Sequence, residues 1–393
     1  MAKKKYHILS LDGGGSWALI QVKVLIDLFG ANTAGHDVLK NFDLVAANSG
    51  GSIVAAGLIE NYTLAEILDF FLNEHIRKSI FSQLPWYQKL NPVRWVLPSP
   101  QFSTDQKLIG LKTVLKTTGL QALTSIDIKG KNNETVKFLF TAYDYDRDRA
   151  KFFRSWASKT GSLSPSNGVN LVDAIHASTN APVTFFDKPA QIQDNRFWDG
   201  GLTGYNNPVL AATVEAIGES WPRSQIAALS IGTANTMLPI APENDQANPL
   251  LKLRSISSAI KDVEKLATTV LADPPDAHTF IAHLILGGGL PTDDTKLPCT
   301  DTSVYRLNPL IQPAGSMEAG WRCPDGFTLE EFKQLVDLDM AAIKNEEVTL
   351  IKHLCEAWMN GQLNNQPIRA NKALVCEIGF AKYLDAKAAW LAV

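Results

Sequence analysis

The sequence predicts an α/β protein: a mostly parallel central sheet flanked by helices, with a largely helical C-terminal portion. Three observations carry that prediction. Short apolar runs alternate twice with apolar helical segments in the first sixty residues, and each run enters its helix through a glycine-rich turn. Strand signals then recur to about residue 231 before helical signals take over. Strand, tight turn and helix repeated in that order build parallel strands with crossover helices.

Tyr6–Leu11 is a short apolar run of the kind buried on both faces of a sheet. After Gly13–Gly15, the segment Trp17–Phe29 is apolar on most sides, which suits a helix packed on a sheet, and Gly30 stops it. Phe42–Ala47 is a second buried run, leading through Asn48-Ser49-Gly50-Gly51 into a helix over Ser52–Ile59. Thr63-Leu-Ala-Glu66 spells a capping box that opens a helix to about Arg77. Ile80–Phe102 holds four prolines together with Phe81, Trp86, Tyr87, Trp95 and Phe102. It reads as an irregular excursion over one end of the sheet, either a lipid-facing lid or rings packed under a long loop.

Strands at Thr135–Tyr143, Lys151–Trp156, Arg196–Asp199 and Gln225–Ile231 accompany helices at Leu171–Ser178 and Pro208–Ile217. Further on, Leu250–Leu271 is read as helical and Ser303–Leu307 as a last strand. Thr328–Asn360 is read as a long helical region behind the capping box Thr328-Leu-Glu-Glu331. The expected organisation is a core over 6–235, with the excursion at 80–102, and a mostly helical portion over 236–393 packed on the same core.

Of the 393 residues, 45% are hydrophobic and 20% charged, ample for a buried core. A net charge of −3 favours no nucleic-acid partner. Cys299, Cys323, Cys355 and Cys376 match no zinc spacing and no redox pair, so reduced, buried thiols are expected. The basic start Met1-Ala-Lys-Lys-Lys5 and its apolar run mimic a signal peptide, but the run is too short and ends in Asp12 and three glycines. No stretch approaches the roughly 18–20 apolar residues of a membrane span. The expectation is a soluble, cytoplasmic chain able to make peripheral membrane contact; export without a cleaved signal and the oligomeric state stay open. With no D-x-[DN]-x-[DN]-G loop, neither metal nor cofactor is expected.

Ser49 follows a buried strand and precedes an apolar helix, with Ala47 and Gly51 two residues to either side. A nucleophilic serine needs such a sharp strand-to-helix turn and small neighbours at those positions. A serine N-cap in a glycine-rich turn fits the same residues, and both readings stand. Gly13, Gly14 and Gly15 let backbone approach a ligand closely and aim N–H groups at an anion. They also suit a structural turn or, with Ala18, a G-x-G-x-x-A dinucleotide fingerprint. That fingerprint calls for an acid at the end of the second strand, where Asn48-Ser49 stands instead. Asp199-Gly200-Gly201 ends an apolar strand, where sheets deliver functional groups, although Asp-Gly turns are common.

Taken together, the three segments resemble the patatin-like phospholipases, the patatin and cytosolic phospholipase A2 type. That family carries a D-G-G-G-x-[RK]-G loop, a G-x-S-x-G elbow and a later D-G-[GA]. Here they stand at Asp12–Ala18, Ala47–Gly51 and Asp199–Gly201. Ala174-Ile-His-Ala-Ser178 through Pro182 and Phe186, Asn206-Asn207-Pro208 and Leu229-Ser-Ile-Gly-Thr233 also fit, and the likeness spans roughly 6–235. Trp17 replaces the family's basic residue, Ala18 and Ala47 replace glycines, and Asn48 precedes the serine.

The resemblance implies a three-layer patatin-like fold and a Ser–Asp dyad without histidine. Ser49 would be the nucleophile and Asp199 its base, with N–H groups of Gly13, Gly14, Gly15 and Gly50 as oxyanion donors. It further implies hydrolysis of carboxylic esters of phospholipids or lysophospholipids at a membrane or micelle surface, through an acyl-enzyme that releases fatty acid. A catalytically weak or ligand-activated lipid-binding protein on the same fold is the alternative, motivated by Trp17. A Ser–His–Asp triad is the mechanistic rival, with His176, His278 and His283 its candidates.

Overall fold

The structure, a computed structural model, describes residues 5–84, 100–157, 168–182, 184–245, 247–253, 275–291, 297–371 and 374–393. The centre of the aromatic excursion and nearly all of the helix expected at Leu250–Leu271 lie outside the described residues.

The elements up to residue 231 are β1 (Tyr6–Leu11), α1 (Leu19–Phe29), α2 (Gly35–Leu39), β2 (Leu44–Ala47), α3 (Ser49–Ile59), α4 (Leu64–Leu72), α5 (Glu74–Ile80), α6 (Thr104–Val114), β3 (Lys137–Asp144), β4 (Arg149–Arg154), α7 (Leu171–Ser178), β5 (Ala190–Ile192), β6 (Asn195–Asp199), α8 (Val209–Gly218) and β7 (Ile226–Ile231). Then come β8 (Asn235–Thr236), a helix α9 over 275–285, β9 (Val304–Leu307), β10 (Leu310–Ile311), α10 (Leu329–Asp337), α11 (Asn345–Met359) and α12 (Tyr383–Leu391).

Among the described residues, eight strands form the central sheet, in the order β5-β6-β3-β2-β1-β7-β9 with β4 also on β3. The run from β3 to β9 is parallel, while β4, β5 and β6 add antiparallel pairings. Alternation along the strands divides the core in two. Leu9, Val45, Phe138 and Leu229 join a cluster with α1, α3, α7 and α11. Ile8, Leu44, Leu139 and Ala228 join a cluster with α8 and α9 on the other face. Both faces are therefore covered, which is why the parallel strands read as unbroken apolar runs. This is the three-layer arrangement that the resemblance implies.

Several local expectations are met in detail. Both capping boxes form, Thr63 with Glu66 and Thr328 with Glu331, each through reciprocal side-chain and backbone bonds. Gly30 ends α1 at a φ of 94°. The helix expected to run to Arg77 is broken at Asn73, whose side chain accepts from the His75 N–H and starts α5 afresh. The long region Thr328–Asn360 is likewise two helices, α10 and α11, because the chain turns back over 338–344.

One feature of the sheet sets the site. The first half of β3 pairs with β2, from Leu44↔Lys137 to Ala47↔Phe140. Its second half pairs on the same edge with β6, from Ala142↔Asp199 to Asp144↔Phe197, because β4 occupies the opposite edge of 139–144. β2 is parallel to β3 and β6 antiparallel, so their C-terminal ends run head-on toward Thr141 and both chains must leave the sheet there. Thr141 Oγ1 donates to Asn48 Oδ1 at 2.7 Å across this gap.

Thr141→Val is therefore expected to keep the fold but leave the Asn48 oxygen without this donor. The cost should be about 1–3 kcal/mol of stability, read as a lower urea midpoint with an unchanged m-value.

Candidate active site

Ser49 opens α3 where β2 leaves the sheet, with a φ of 47°. A left-handed conformation costs a residue with a side chain roughly 1–2 kcal/mol, and its neighbours hold it there. The Ser49 N–H donates to Ser178 Oγ at 3.1 Å, and that hydroxyl also shares a hydrogen bond with Ser52 Oγ at 2.9 Å. A Cβ on Gly51 would stand 2.5 Å from the Leu11 carbonyl oxygen, so the elbow's second small position has to be glycine. Its first, Ala47, lies within β2 with no positive φ, and Ala18 has a φ of −63°; methyl groups are accommodated at both.

Asp199 arrives from the opposite direction at the end of β6 and is 6% exposed. Its carboxylate accepts from the Gly201 N–H at 2.8 Å and from Asn48 Nδ2 at 3.0 Å, and the Ser49 side chain lies beside it. Burial raises its pKa above the ordinary carboxylate value, and the neighbouring Ser49 side chain and the bonds from Gly201 and Asn48 pull it back, helped by the charge of Lys107. Asn48, which the sequence marks only as a departure at the elbow, thus ties the two ends together by donating to Asp199 and accepting from Thr141.

The histidines that the rival triad would need lie elsewhere. His176 is buried in α7, and burial holds its imidazole well below the usual pKa. His278 contacts the Asn207 carbonyl, and His283 sits between Thr302 and the Gly289 carbonyl. Among the described residues, no histidine hydrogen-bonds Ser49 or Asp199.

The glycine loop curls over Ser49, and its members are not equivalent. The Gly13 N–H donates to the Asn206 carbonyl at 2.9 Å, so this amide, expected among the anion donors, is already taken. The amides of Gly14, Gly15 and Gly50 have no protein acceptor among the described residues. Gly50 also lies in the first turn of α3, where unpaired N–H groups and the helix dipole favour negative charge.

The loop is held from below and from above. Beneath it, Asp12 and Arg306 form a buried pair at 2.6 Å, with Arg306 Nη1 donating onward to Ser230 Oγ at 2.9 Å. Burial pushes the Asp12 carboxyl up to about 6 despite the opposing charge and hydrogen bond of Arg306. Above it lies the α10–α11 connection. Ser16 N–H donates to the Met340 carbonyl at 2.9 Å and Trp17 Nε1 to the Asp339 carbonyl at 3.2 Å. Trp17 is only 6% exposed, so the position that carries a basic residue in the resembled family serves here to dock this connection. Arg77 Nε clamps the same stretch through the Ile343 carbonyl at 3.0 Å.

Beside Ser49 is a narrow cavity walled by Ile53, Ile80, Phe81, Phe186, Met340 and Lys107. Lys107, on α6, is fully buried, and no sequence signal distinguished it from an ordinary helix lysine. Its Nζ donates to the His176 carbonyl at 2.9 Å, Thr179 Oγ1 at 3.2 Å and Asn180 Oδ1 at 2.8 Å. Arg306 lies in the strand expected at Ser303–Leu307, but its partner on the glycine loop, Asp12, lies almost three hundred residues away. Among the described residues, no group of three His, Cys, Asp or Glu side chains converges as a metal site, and no helix is long and apolar enough to cross a membrane.

A family model described as Patatin-like phospholipase matches residues 9–213. A cGAMP-activated phospholipase of Pseudomonas aeruginosa is 29% identical over 231 residues, 58% of this chain and 62% of that protein. A second protein of that description, from Escherichia coli, is 25% identical over 54% of this chain and 56% of its own length. An intracellular phospholipase A2 of Caenorhabditis elegans is 29% identical over 53% of this chain and 16% of that protein. The alignments thus span less than two thirds of each of these relatives.

Removing Arg306 is expected to strand a buried carboxylate. Arg306→Met should cost about 3–5 kcal/mol in urea denaturation near neutral pH. Because the folded-state pKa of Asp12 is raised, its ionisation costs stability only above the unfolded value, so the deficit should shrink as pH falls and Asp12 takes up its proton.

Proposed function

The chain belongs to the patatin-like phospholipase family, and from that premise we propose that it is a lipid acyl hydrolase, cleaving carboxylic esters of phospholipids or lysophospholipids with Ser49 as nucleophile and Asp199 as base. The observation that carries this reading is the Ser49 side chain, at the start of α3, set beside the buried carboxylate of Asp199. In the first half-reaction Ser49 Oγ attacks the ester carbonyl carbon as its proton passes to Asp199. The oxygen that becomes negative lies against the amides of Gly14, Gly15 and Gly50, and such donors are typically worth about 10²–10³ in rate each. Collapse expels the alcohol, which takes the proton from Asp199. Water, giving its proton to the same carboxylate, then attacks the acyl-enzyme; Ser49 Oγ leaves with that proton and the fatty acid is freed. A carboxylate is a weak base for a serine hydroxyl, and burial strengthens Asp199 by raising its pKa.

An activator-dependent form of this reading is favoured by the cavity itself. Beside Ser49 the space open to a water-sized molecule is only ≈ 30 Å³, room for about two waters. An acyl chain needs the wall to move, and Met340 and Ala341 put the α10–α11 connection in that wall. At the other end of the same two helices lies a second cavity of ≈ 370 Å³, lined by Leu310, Trp321, Arg322, Asp325, Gln362 and Asn364. Trp321 and Asp325 precede α10 and Gln362 follows α11, so a ligand there would press on the helices that carry the connection. Two relatives are described as cGAMP-activated, and a cyclic dinucleotide, with rings to stack on Trp321 and phosphates for Arg322, is the activator proposed for this chain.

Fatty-acid release from mixed phospholipid and lysophospholipid micelles tests the hydrolase. Ser49→Ala and Asp199→Asn are each expected to lower it about a thousandfold or more with the fold intact; loss in the serine variant alone would sink Asp199 as the base. In the same assay cGAMP is expected to raise the wild-type rate by about tenfold or more, and Arg322→Gln to blunt that rise. An unchanged rate at saturating cGAMP would rule out the activated form and leave the hydrolase reading standing.

A further inference from the structure

We propose that Lys107 is a positioning residue for Asp199, a caged cation that holds the carboxylate in its ionised form and anchors the turn that delivers it; this rests on the reading of Ser49 and Asp199 as the dyad. Lys107 has no exposed surface, and its three ammonium protons are all committed, to the His176 carbonyl, Thr179 Oγ1 and Asn180 Oδ1. Its Nζ also lies 4.3 Å from the centre of the Phe186 ring. None of these partners is an anion. Burying an ammonium without a paired carboxylate costs several kcal/mol, where methionine at the same helix position would pack at no such cost.

Two functions that a lysine beside a lipid-hydrolase cavity suggests are closed to it. With every donor occupied, it has none left for a phosphate head group. With its nitrogen fixed by three bonds, it is not free to take a proton from Ser49.

What remains is its effect on Asp199, exerted along two routes. The first is covalent geometry. Asn180, held by Lys107 through its side-chain oxygen, accepts the Asp199 backbone N–H at 2.9 Å and donates Nδ2 to the Lys188 carbonyl at 2.8 Å. The second is charge. Burial pushes the Lys107 ammonium well below the ordinary lysine pKa and the charge of Asp199 opposes that, while the three acceptors around Nζ favour the protonated amine, whose charge in turn lowers the pKa of Asp199. The other groups facing Asp199 are neutral: Ser49, Asn48 and the Gly201 amide. The titratable neighbour of Lys107 is His176, kept uncharged by burial and by Lys107, Lys112 and Lys188. Among the described residues, Lys107 is thus the charged group opposing the burial that raises the pKa of the proposed base. The carbonyl of His176, in the last turn of α7, adds the negative end of that helix to the cage.

The test reads Ser49 directly and needs no lipid. A fluorophosphonate forms an Oγ–P bond to the serine and breaks its own P–F bond; fluoride departs and the serine proton goes to the base. The labelling rate, followed by intact mass, is measured across the pH range in which the protein stays folded. The proteins are wild type, Lys107→Met, Lys107→Gln and Lys107→Arg. An opposite charge nearby lowers a carboxylate pKa by about 1–3 units, so the acid limb of both neutral variants is expected to move to higher pH by about one unit or more. Below the limb they should label about tenfold more slowly, while Lys107→Arg keeps the limb in place. Lys107→Gln retains amide donors for Asn180 and Thr179, so it reports on charge if Lys107→Met fails to fold. A folded neutral variant whose rate falls equally at every pH, with the limb unmoved, overturns the proposal. Absence of any labelling of wild-type Ser49 would instead strike the dyad reading itself and take this proposal with it.

Discussion

The arrangement turns on two strands that meet head-on. β2 and β6 share one edge of β3 and run toward each other until the sheet has no room left at Thr141. Each chain leaves the sheet there, one at Asn48-Ser49 and one at Asp199-Gly200, and the two exits face across a single residue. Rigid strands on both sides fix that separation, so a hydroxyl and a carboxylate from positions 150 residues apart meet without help from a flexible loop. Asn48 then bridges the exits, donating to Asp199 and accepting from Thr141. The strain at Ser49 persists because the surroundings over-determine it.

The rest of the site is built onto that junction from distant parts of the chain. Arg306, on β9, gives Asp12 its counter-charge under the glycine loop, and the carbonyls of Asp339 and Met340 hold the loop from above. Lys107 reaches in from α6 and closes the side next to Asp199. Each support is a buried polar contact. Such contacts contribute little net stability when satisfied and cost heavily when one partner is lost. They hold the loop in one conformation more than they hold the fold together.

Much of this was legible in the sequence because it is written in local signals. Unbroken apolar runs identify strands covered on both faces, and Thr63 and Thr328 with their glutamates mark helix starts that form as read. Ser49 and Asp199 stand out through their glycine-rich turns, and the structure brings them together. What was hidden depends on pairing across the chain. Nothing around Gly13 reveals that its amide is taken by Asn206, and nothing around Lys107 separates it from a solvent-facing helix lysine. The break at Asn73 was missed because a side-chain cap can restart a helix within an otherwise continuous apolar pattern. The double-helix form of 328–360 went unseen because the turn over 338–344 contains no glycine or proline.

The dependence of the glycine loop on Arg306 and Met340 also orders events in time. Ser49 and Asp199 leave the ribosome before Arg306 and Met340, while Asp12 still lacks its counter-charge and the α10–α11 connection does not yet cover the loop. The serine and the aspartate can meet at that stage, but the glycine loop above them is not held until Arg306 and Met340 have emerged. The order of synthesis thus leaves the glycine loop as the last part of this junction to be fixed, after the strands that bring Ser49 and Asp199 together.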